Sequence, residues 1–550
     1  MKRHLEALLT RALHEAVAAG ELRVAAVPPV ALEVPADPTF GDLASNVAML
    51  LAREARQAPR AVADVVIRRL ADPAGWLAGI DVAGPGFINF RLAPAFWQAM
   101  LAEAIAAGAA YGRSQLGAGQ RVHVEFVSAN PTGPLHIGHG RGAVIGDVVA
   151  RLLEAVGYEV EREYYVNDAG RQMEVLGRST LVRLRQLAGQ PAELPEDAYP
   201  GEYLVDVARR LREAEGDAVL ALPEAEAIAH CSAFAGRVLL DEIRDDLARF
   251  GVRFDTFVSE RGLHAAGALP RALERFPPDL IHRTDGALFF RTTAFGDEKD
   301  RAVLRGTGEP TYFGGDIAHY DATLRGGFRQ LVNVLGADHH GYVPRLRAIV
   351  EALGGTAETL RVVLVQLVNL TRGGEPVRMG KRAGQFVTLR DVVDEVGADA
   401  ARFFFLLRKA DSQLDFDLEL AKKQSADNPV FYAQYAYARI ASIGRQAAAA
   451  GVAAGPDVDL GPLGEAEVEV LRVLVTWPDV VEAAARQLEP HRITFYVLEL
   501  AAAFHRYYNR HRILTDDVAL SRARLALVGC VQQVLRGALG LAGVAAPERM

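Results

Sequence analysis

Cysteine is nearly absent from this 550-residue chain, which contains only Cys231 and Cys530. These two residues are far apart in sequence and form no pair with the spacing of a metal site. The histidine-rich stretch "DHHGY" also lacks the further ligands that a structural zinc site requires. We therefore expect a reduced, cytoplasmic protein with no structural metal.

Long apolar runs are missing as well. Half of the residues are hydrophobic and 24% are charged, as in a soluble globular protein. No window approaches the roughly 18 uninterrupted apolar residues of a membrane span. The opening "MKRHLEALLTRALHEAVAAGELRV" has a basic tip but no continuous apolar core. It predicts an amphipathic helix rather than a signal peptide, and no association with a membrane.

An excess of positive charge is the third missing feature, because the formal net charge is −8. This balance gives no support to nucleic-acid binding. It does not exclude such binding, since a local basic face can act within an acidic whole.

The length of the chain predicts several domains, because one hydrophobic core rarely serves 550 residues. Residues 1–112 mix helical patterns with a period-two strand and predict an α+β domain. Residues 113–416 alternate strands and helices, which predicts a Rossmann-like α/β domain with a parallel sheet and an insertion at about 172–300. Residues 417–550 predict an all-α domain.

The segment "VEFVSANPTGPLHIGHGRG" follows a predicted strand and precedes a helical pattern from Val144 to Val156. A second strand pattern, "YEVEREYYV", comes next, so the segment forms the first turn of a strand–helix–strand unit. In such sheets ligands bind beyond the carboxyl ends of the strands. The free amides near Ile137 suit phosphate, and His136 and His139 project from the same side of the turn.

An isolated histidine in a tight turn is more often a satisfied polar residue than a ligand. Two histidines with flanking glycines after a strand favour a nucleotide site. The stretch "ANPTGPLHIGH" resembles the HIGH signature of class I aminoacyl-tRNA synthetases, in the extended form of the arginyl enzymes. Further similarity lies in "YYVNDAGRQM", in "FGDLASNVAM" and "GPGFINFRL" of the tRNA-binding amino-terminal domain, and in "DNPVFYAQYAYARI" of the anticodon-binding domain.

The resemblance implies that His136 and His139 act on the phosphates of ATP. It further implies that the neighbouring turn binds ATP through Gly133, Pro134, Leu135, Ile137 and Gly138.

A second segment, "VRMGKRAG", is similar to the mobile KMSKS loop of the same class. Lys381 matches the second lysine, whereas Arg378 and Gly380 replace the first lysine and a serine. The resemblance implies a catalytic Lys381, with Arg378, Met379 and Gly380 beside ATP. Taken alone, a short basic loop is usually a solvated surface turn.

A guanidinium offers five donors in a plane, so its pocket should present carboxylates. Glu125 ends the first strand, and Tyr312 and Asp316 are four residues apart on one helical face. The resemblance implies that these three residues bind the arginine side chain, while Asn130 holds its backbone groups and His339 contacts it. A paired surface acid at Glu125 and a helix cap at Asp316 are the alternatives.

The stretch "PHRITFYVLELAAAFHRYYNRHRIL" predicts a helix with a basic and aromatic face. Such a face suits phosphate contacts and base stacking, although a helix that buries its tyrosines and solvates its arginines is more common for any one helix. The resemblance favours tRNA contact by Arg506, Tyr507, Tyr508, Arg510 and Arg512.

Together these features predict arginine–tRNA ligase activity, with L-arginine, ATP and tRNA(Arg) as substrates and Mg²⁺ accompanying ATP. The resemblance implies a monomer. Two alternatives are a catalytically silent tRNA-binding relative and another adenylyltransferase with a HIGH-type turn.

Overall fold

A computed structural model describes residues 2–377, 387–455 and 457–550 of the chain. The first region contains four helices and three strands: α1 (Lys2–Ala18), β1 (Leu43–Ser45), α2 (Val47–Ala55), α3 (Pro59–Arg69), β2 (Leu77–Ala83), β3 (Phe87–Leu92) and α4 (Pro94–Ala107). The strands pair antiparallel in the order β1-β3-β2, and α2 and α3 pack against them. This is an α+β arrangement.

A five-stranded parallel sheet organises the middle of the chain. Its strands are β4 (Arg121–Glu125), β5 (Glu159–Val166), β6 (Thr256–Ser259), β10 (Gln330–Gly336) and β11 (Leu360–Val365). The spatial order is β11-β10-β4-β5-β6, so the order reverses between β4 and β10. Such a switch point leaves a crevice at the carboxyl ends of the strands. The predicted Rossmann-like fold is confirmed.

Helices and a small sheet complete this region. The helices are α5 (Ile137–Ala155), α6 (Arg171–Leu187), α7 (Tyr203–Glu215), α8 (Glu224–Arg249), α9 (Glu260–Ala265), α10 (Ala268–Leu273), α11 (Tyr312–Arg325) and α12 (Val343–Ala352). The antiparallel strands are β7 (Ile281–Thr284), β8 (Ala287–Phe290) and β9 (Arg301–Leu304). The stretch 172–300, interpreted from sequence as an insertion, also supplies β6 to the edge of the main sheet. It is therefore not wholly separate from that sheet.

A third small sheet connects the main sheet to the carboxyl-terminal helices. It contains β12 (Val368–Arg372), β13 (Glu375–Pro376) and β14 (Leu414–Asp417), with α13 (Leu389–Val396), α14 (Ala398–Phe405) and α15 (Leu418–Lys422) nearby. Thr388 caps α13 and forms a capping box with Asp391. Leu389 donates its N–H to the carbonyl of Leu135 at 2.8 Å, and Thr388 forms a β-bridge with His136. Thr388 and Leu389 are thus fixed to the glycine-rich turn.

The last region is helical, as expected. It contains α16 (Pro429–Ala449), α17 (Glu465–Leu474), α18 (Trp477–Gln487), α19 (His491–Arg510) and α20 (Val518–Ala542). Of the helices that the structure describes, only α20 has the length and composition to cross a membrane, and 56% of its most apolar window is buried in the protein. One continuous core includes buried side chains from all three regions.

A buried cation joins two of these regions. The guanidinium of Arg402 is 1% exposed and contacts the carboxylate of Asp147 on α5. It also donates to the carbonyls of Phe250 at 3.1 Å and of Ala542 at 3.0 Å. A buried charge is tolerated only when it is paired and hydrogen-bonded in this way.

Candidate active site

A cavity of about 800 Å³ opens at the carboxyl ends of β4 and β10. This is the position expected for a ligand in a sheet of this order. Its walls contain eight residues singled out from sequence: Glu125, Asn130, His136, Gly138, His139, Tyr312, Asp316 and His339. Residues separated by up to about 200 positions in the chain therefore meet at one site.

The backbone turns sharply where β4 ends. Val127 and Ser128 have φ angles of 67° and 39°, a left-handed conformation that is unusual for a β-branched residue. Such strain costs roughly 1–3 kcal/mol per residue and is concentrated at functional sites. The hydroxyl of Ser128 accepts the N–H of Tyr165 at 3.1 Å and donates to Glu125 Oε1 at 3.0 Å. The turn thereby orients the Glu125 carboxylate.

The two histidines form a reciprocal cap at the start of α5. His136 Nδ1 accepts the N–H of Gly138 at 3.1 Å, and His139 Nδ1 accepts the N–H of His136 at 3.3 Å. The rings stack with their centroids 3.6 Å apart. Because each Nδ1 is an acceptor, the proton of each neutral ring lies on Nε2. A Cβ at Gly138 would lie 3.0 Å from His136 Cε1, so a side chain there would crowd the stacked ring.

Burial keeps both rings uncharged. It lowers the pKa of His136, and burial together with the nearby His136 lowers the pKa of His139 to about 3. At neutral pH the pair therefore offers two uncharged Nε2–H donors beside the free amides of a helix N-terminus. Donors of this kind stabilise negative charge on oxygen without requiring a counter-ion.

The other predicted residues of the turn occupy different surroundings. Leu135 and Ile137 are buried in the core, at 0% and 3% exposure. Gly133 lies under the Tyr203 ring, and Pro134 lines a neighbouring cleft beside α8. The side chains of Leu135 and Ile137 thus belong to the core, which leaves only their backbone for a ligand.

The basic segment that resembles the KMSKS loop falls outside the described residues. This applies to Arg378, Met379, Gly380 and Lys381. Their predicted roles stay predictions. The described residue Thr388, which follows the segment, pairs directly with His136.

Glu125 is buried, and each of its carboxylate oxygens has one hydrogen-bond donor. Its Oε2 accepts from Asn333 Nδ2 at 2.7 Å, and the same amide donates to the Tyr320 hydroxyl at 3.0 Å. The alternative of a surface acid at Glu125 is therefore wrong. Asn333 was missed from sequence, because it lies on β10, 208 residues from Glu125, and no spacing rule connects the two.

Asp316 lies on the first turns of α11. Thr311 caps this helix by accepting the Gly314 N–H at 3.2 Å, so Asp316 is not the cap. The Tyr342 hydroxyl donates to Asp316 Oδ2. Burial, helped by nearby acids, raises the pKa of Asp316 to about 7. Tyr312 is 55% exposed at the mouth of the cavity.

Asn130 and His339 border the same cavity but differ in exposure and in their hydrogen-bond partners. Asn130 is half-buried and donates to the side-chain oxygen of Gln172 on α6. His339 is exposed in a short 3-10 helix after β10, with its Nε2 3.7 Å from Asp338. The sequence contained no signal for Gln172 or Tyr342 as partners of these groups.

The predicted RNA-binding face of α19 is only partly available. Tyr507 is buried and donates to Glu467 at 2.9 Å, so its ring cannot stack on a base, and this prediction is corrected. Arg506 pairs with Glu469 at 2.7 Å, and Arg510 lies 4.0 Å from the same carboxylate. Of the five predicted residues, Tyr508 and Arg512 are exposed as well.

Tyr508 belongs to an aromatic cluster with Tyr435 and Arg439. The Arg439 guanidinium lies 4.6 Å from the centre of the Tyr435 ring and 4.9 Å from that of Tyr508. Both tyrosines are partly exposed, and they line a cleft of about 510 Å³ with Arg439. By contrast, Tyr437 is buried.

A parallel sheet with a capped histidine pair at its switch point, followed by a helical domain, defines the class I aminoacyl-tRNA synthetase architecture. Comparison with known proteins agrees. The arginyl tRNA synthetase N-terminal domain matches residues 3–92, the catalytic domain of class I (R) tRNA synthetases matches 100–413, and the DALR anticodon-binding domain matches 433–550.

Full-length relatives make the assignment more specific. The chain is 50% identical to an arginine–tRNA ligase of Syntrophotalea carbinolica and 49% identical to one of Desulfosudis oleivorans, and all of both chains is covered in each case. Its fold is similar to that of Thermus thermophilus arginyl-tRNA synthetase, with a TM-score of 0.76, 24% identity and all of both chains covered. The chain belongs to the arginyl-tRNA synthetase family.

Proposed function

We propose that the cavity between β4 and β10 is the active site for the arginine–tRNA ligase reaction. In the first step the carboxylate of arginine attacks the α-phosphorus of ATP, which gives arginyl-adenylate and pyrophosphate. In the second step a ribose hydroxyl of the terminal adenosine of tRNA attacks the adenylate carbonyl and releases AMP. Class I resemblance implies the 2′ hydroxyl. One observation supports the proposal most directly: the wall of this single cavity contains both neutral imidazole donors and buried carboxylates.

On the nucleotide side, His136 and His139 would donate from Nε2 to phosphate oxygens. Both rings are neutral, and their Nδ1 atoms are already engaged by backbone amides. Their donors would strengthen as charge builds on the phosphates in the transition state. Lys381 would add a cation, with Arg378, Met379 and Gly380 beside ATP. We assign Mg²⁺ to the phosphates and water rather than to a protein site.

On the amino-acid side, Glu125 and Asp316 would accept hydrogen bonds from the guanidinium. Glu125 is held in place by Asn333 and Ser128, and Asp316 by Tyr342. A lysine there would leave buried acceptors unpartnered, and a site built to hydrogen-bond its substrate discriminates by roughly 10⁴-fold or more. Three further residues of the cavity would contact the arginine. Tyr312 would bind its guanidinium, Asn130 would hold its backbone groups, and His339 would also contact it.

A pyrophosphate-exchange assay with each amino acid, with and without tRNA, tests this function. The family resemblance implies that activation awaits bound tRNA. Exchange with arginine alone among the amino acids, and only when tRNA is present, therefore supports the proposal. Exchange with another amino acid overturns the pocket assignment. No exchange under any condition favours the catalytically silent relative, and exchange without any RNA dependence favours another adenylyltransferase with a HIGH-type turn.

For tRNA we propose stacking of an unpaired base on Tyr508, beside Arg439 and Tyr435, with Arg506, Arg510 and Arg512 near phosphates. Stacking on an aromatic ring contributes about 1–3 kcal/mol per base. Tyr508→Ala should therefore raise the KM for tRNA about tenfold and leave the KM for arginine unchanged. Phe495→Ala is the control, because Phe495 is 49% exposed on the same helix but lies outside the cleft. Equal effects of the two substitutions would contradict the assignment.

A monomeric state stays a prediction from the family resemblance, and a cytoplasmic location stays a prediction from the low cysteine content. Size-exclusion chromatography with light scattering tests the first. A stable dimer in the absence of tRNA would contradict it.

A further inference from the structure

A buried carboxylate lies between two imidazoles next to the candidate arginine pocket. Glu163 on β5 is 5% exposed; its Oε2 is 3.0 Å from His123 Nε2, and its Oε1 is hydrogen-bonded to His319 Nε2. His123 and His319 are themselves only 2% and 4% exposed. None of these three residues has a role in the reaction described above.

This arrangement favours a positive charge on one imidazole. A carboxylate removed from water is stable only with a charged or strongly donating partner, and here both oxygens face imidazole nitrogens. Burial acts against a charged imidazole, but Glu163, Glu125 and Asp316 outweigh it and raise the pKa of His319 to about 9. Burial likewise opposes the carboxylate, yet the two histidines lower the pKa of Glu163. His319 is therefore an imidazolium at neutral pH.

The position of His319 connects this ion pair to the cavity. His319 lines the cavity wall and follows Asp316 by three residues, which places the two side chains on one face of α11. The Tyr165 ring lies 4.7 Å from its ring centre. The titratable groups around His319 come from four elements: Glu125 and His123 on β4, Glu163 and Tyr165 on β5, Glu260 on α9, and Asp316 and Tyr320 on α11. The charges that raise its pKa are those of the acids Glu163, Glu125 and Asp316.

We propose that His319 is a positioning residue of the arginine pocket. Glu163 holds it as a cation in the cavity wall, and this cation favours the ionised form of Asp316, which can then accept a guanidinium beside Glu125. His319 acts through these acids and need not touch the substrate. The inference rests on the arginine-binding role proposed for Glu125 and Asp316.

Glu163→Gln tests the inference, because it removes the anion and keeps the shape of the side chain. Without that anion His319 loses its charge, and Asp316 then retains a proton to higher pH. The KM for arginine should rise about tenfold at pH 7, which corresponds to an upward displacement of the pH profile by about one unit. Above pH 8.5 the KM should return to the wild-type value or fall below it, since a cation no longer repels the guanidinium. The kcat should change less than threefold.

Glu161→Gln is the matched control. Glu161 lies two residues earlier on β5 and is half-buried, and its carboxylate pairs with Arg121 at 3.4 Å, away from His319. This variant should keep the wild-type pH profile. If Glu163→Gln also keeps that profile, or lowers kcat and raises KM equally at every pH, His319 has no positioning role. If the wild-type protein itself does not use arginine, the proposed function fails instead.

A measurement on the unsubstituted protein covers the case in which Glu163→Gln does not fold. Nitrogen NMR of ¹⁵N-histidine-labelled protein should show one imidazolium that persists at pH 8, assigned by its loss in His319→Gln. A neutral His319 at pH 8 overturns the inference. Retention of one zinc ion per chain after equilibration with zinc, abolished by Glu163→Gln, also overturns it, because Glu163 would then bind a metal rather than hold a charged imidazole.

Discussion

The cavity wall contains two groups of side chains that respond to burial in opposite ways. Burial removes the charge from His136 and His139, and this neutral state is the one in which their Nε2–H donors face a ligand. Burial also favours the neutral form of Asp316, but there the ionised form is needed to bind a guanidinium. The functional state of the imidazoles needs only caps to backbone amides. The ionised state of the acids needs hydrogen-bond donors and a nearby cation.

The two groups also differ in how the chain assembles them. The histidines lie within one turn of helix, and the segment 136–139 builds their geometry by itself. The acid group draws on β4, α11 and β10, with Asn333 and Tyr342 supplied by distant parts of the chain. Local sequence can specify a donor cap, but a pocket for a cation depends on the tertiary fold. Four substitutions test this contrast.

The largest effect is expected for Asp316→Asn. The amide cannot pair with a guanidinium as a carboxylate does, so kcat/KM for arginine should fall by about 10³-fold. Steady-state aminoacylation measures this. Asp206→Asn, at an exposed helix position, is the control and should be close to wild type. An Asp316→Asn enzyme within threefold of wild type would remove Asp316 from the pocket.

The next effect tests the nucleotide side. His139→Ala removes one donor and one member of the reciprocal cap, so kcat should fall by about 10²-fold with little change in the KM for arginine. The exposed His230, which pairs with Glu215 at 2.7 Å, provides the control substitution His230→Ala. A change confined to the arginine KM would mean that the two groups of the wall are not functionally separate.

A smaller effect is expected at Asn333, which reaches Glu125 from another strand. Asn333→Leu leaves Glu125 Oε2 without its donor, and an unpartnered buried acceptor costs about 1–3 kcal/mol. The KM for arginine should rise about tenfold. Asn369→Leu loses a similar amide–carboxylate hydrogen bond of 2.9 Å at an exposed position and should have little effect. Equal kinetics of the two variants would argue against a supporting role for Asn333.

The smallest effect concerns pH. The pKa of Asp316 is raised to about 7, so the fraction of ionised carboxylate grows between pH 6 and 8, and the wild-type KM for arginine should fall over that range. Tyr342→Phe removes a hydrogen bond that favours the ionised form and should raise the KM about fivefold at pH 7 and hardly at all at pH 8.5. A pH-independent increase would assign Tyr342 a purely structural role.

Much of the fold and part of the site could be predicted from sequence. The strand–helix–strand unit, the helical last region and the histidine pair all follow from local periodicity, turn residues and motif spacing. Asn333, Tyr342 and the Glu163 cluster could not be predicted, because their partners are set by which strands become neighbours. Tyr507 was misassigned for a related reason: a helical face carries no mark that separates a stacking tyrosine from one whose hydroxyl satisfies a buried Glu467.

The buried Arg402 has a consequence for the ends of the chain. Its guanidinium joins Asp147, on the helix that begins at the two histidines, to the carbonyl of Ala542, the last residue of α20. Loss of the final helix would therefore remove one of the three acceptors of this buried cation and leave it with Asp147 and the carbonyl of Phe250. The carboxyl end of α20, far in sequence from the two histidines, is in this way a structural support of the helix that begins at them.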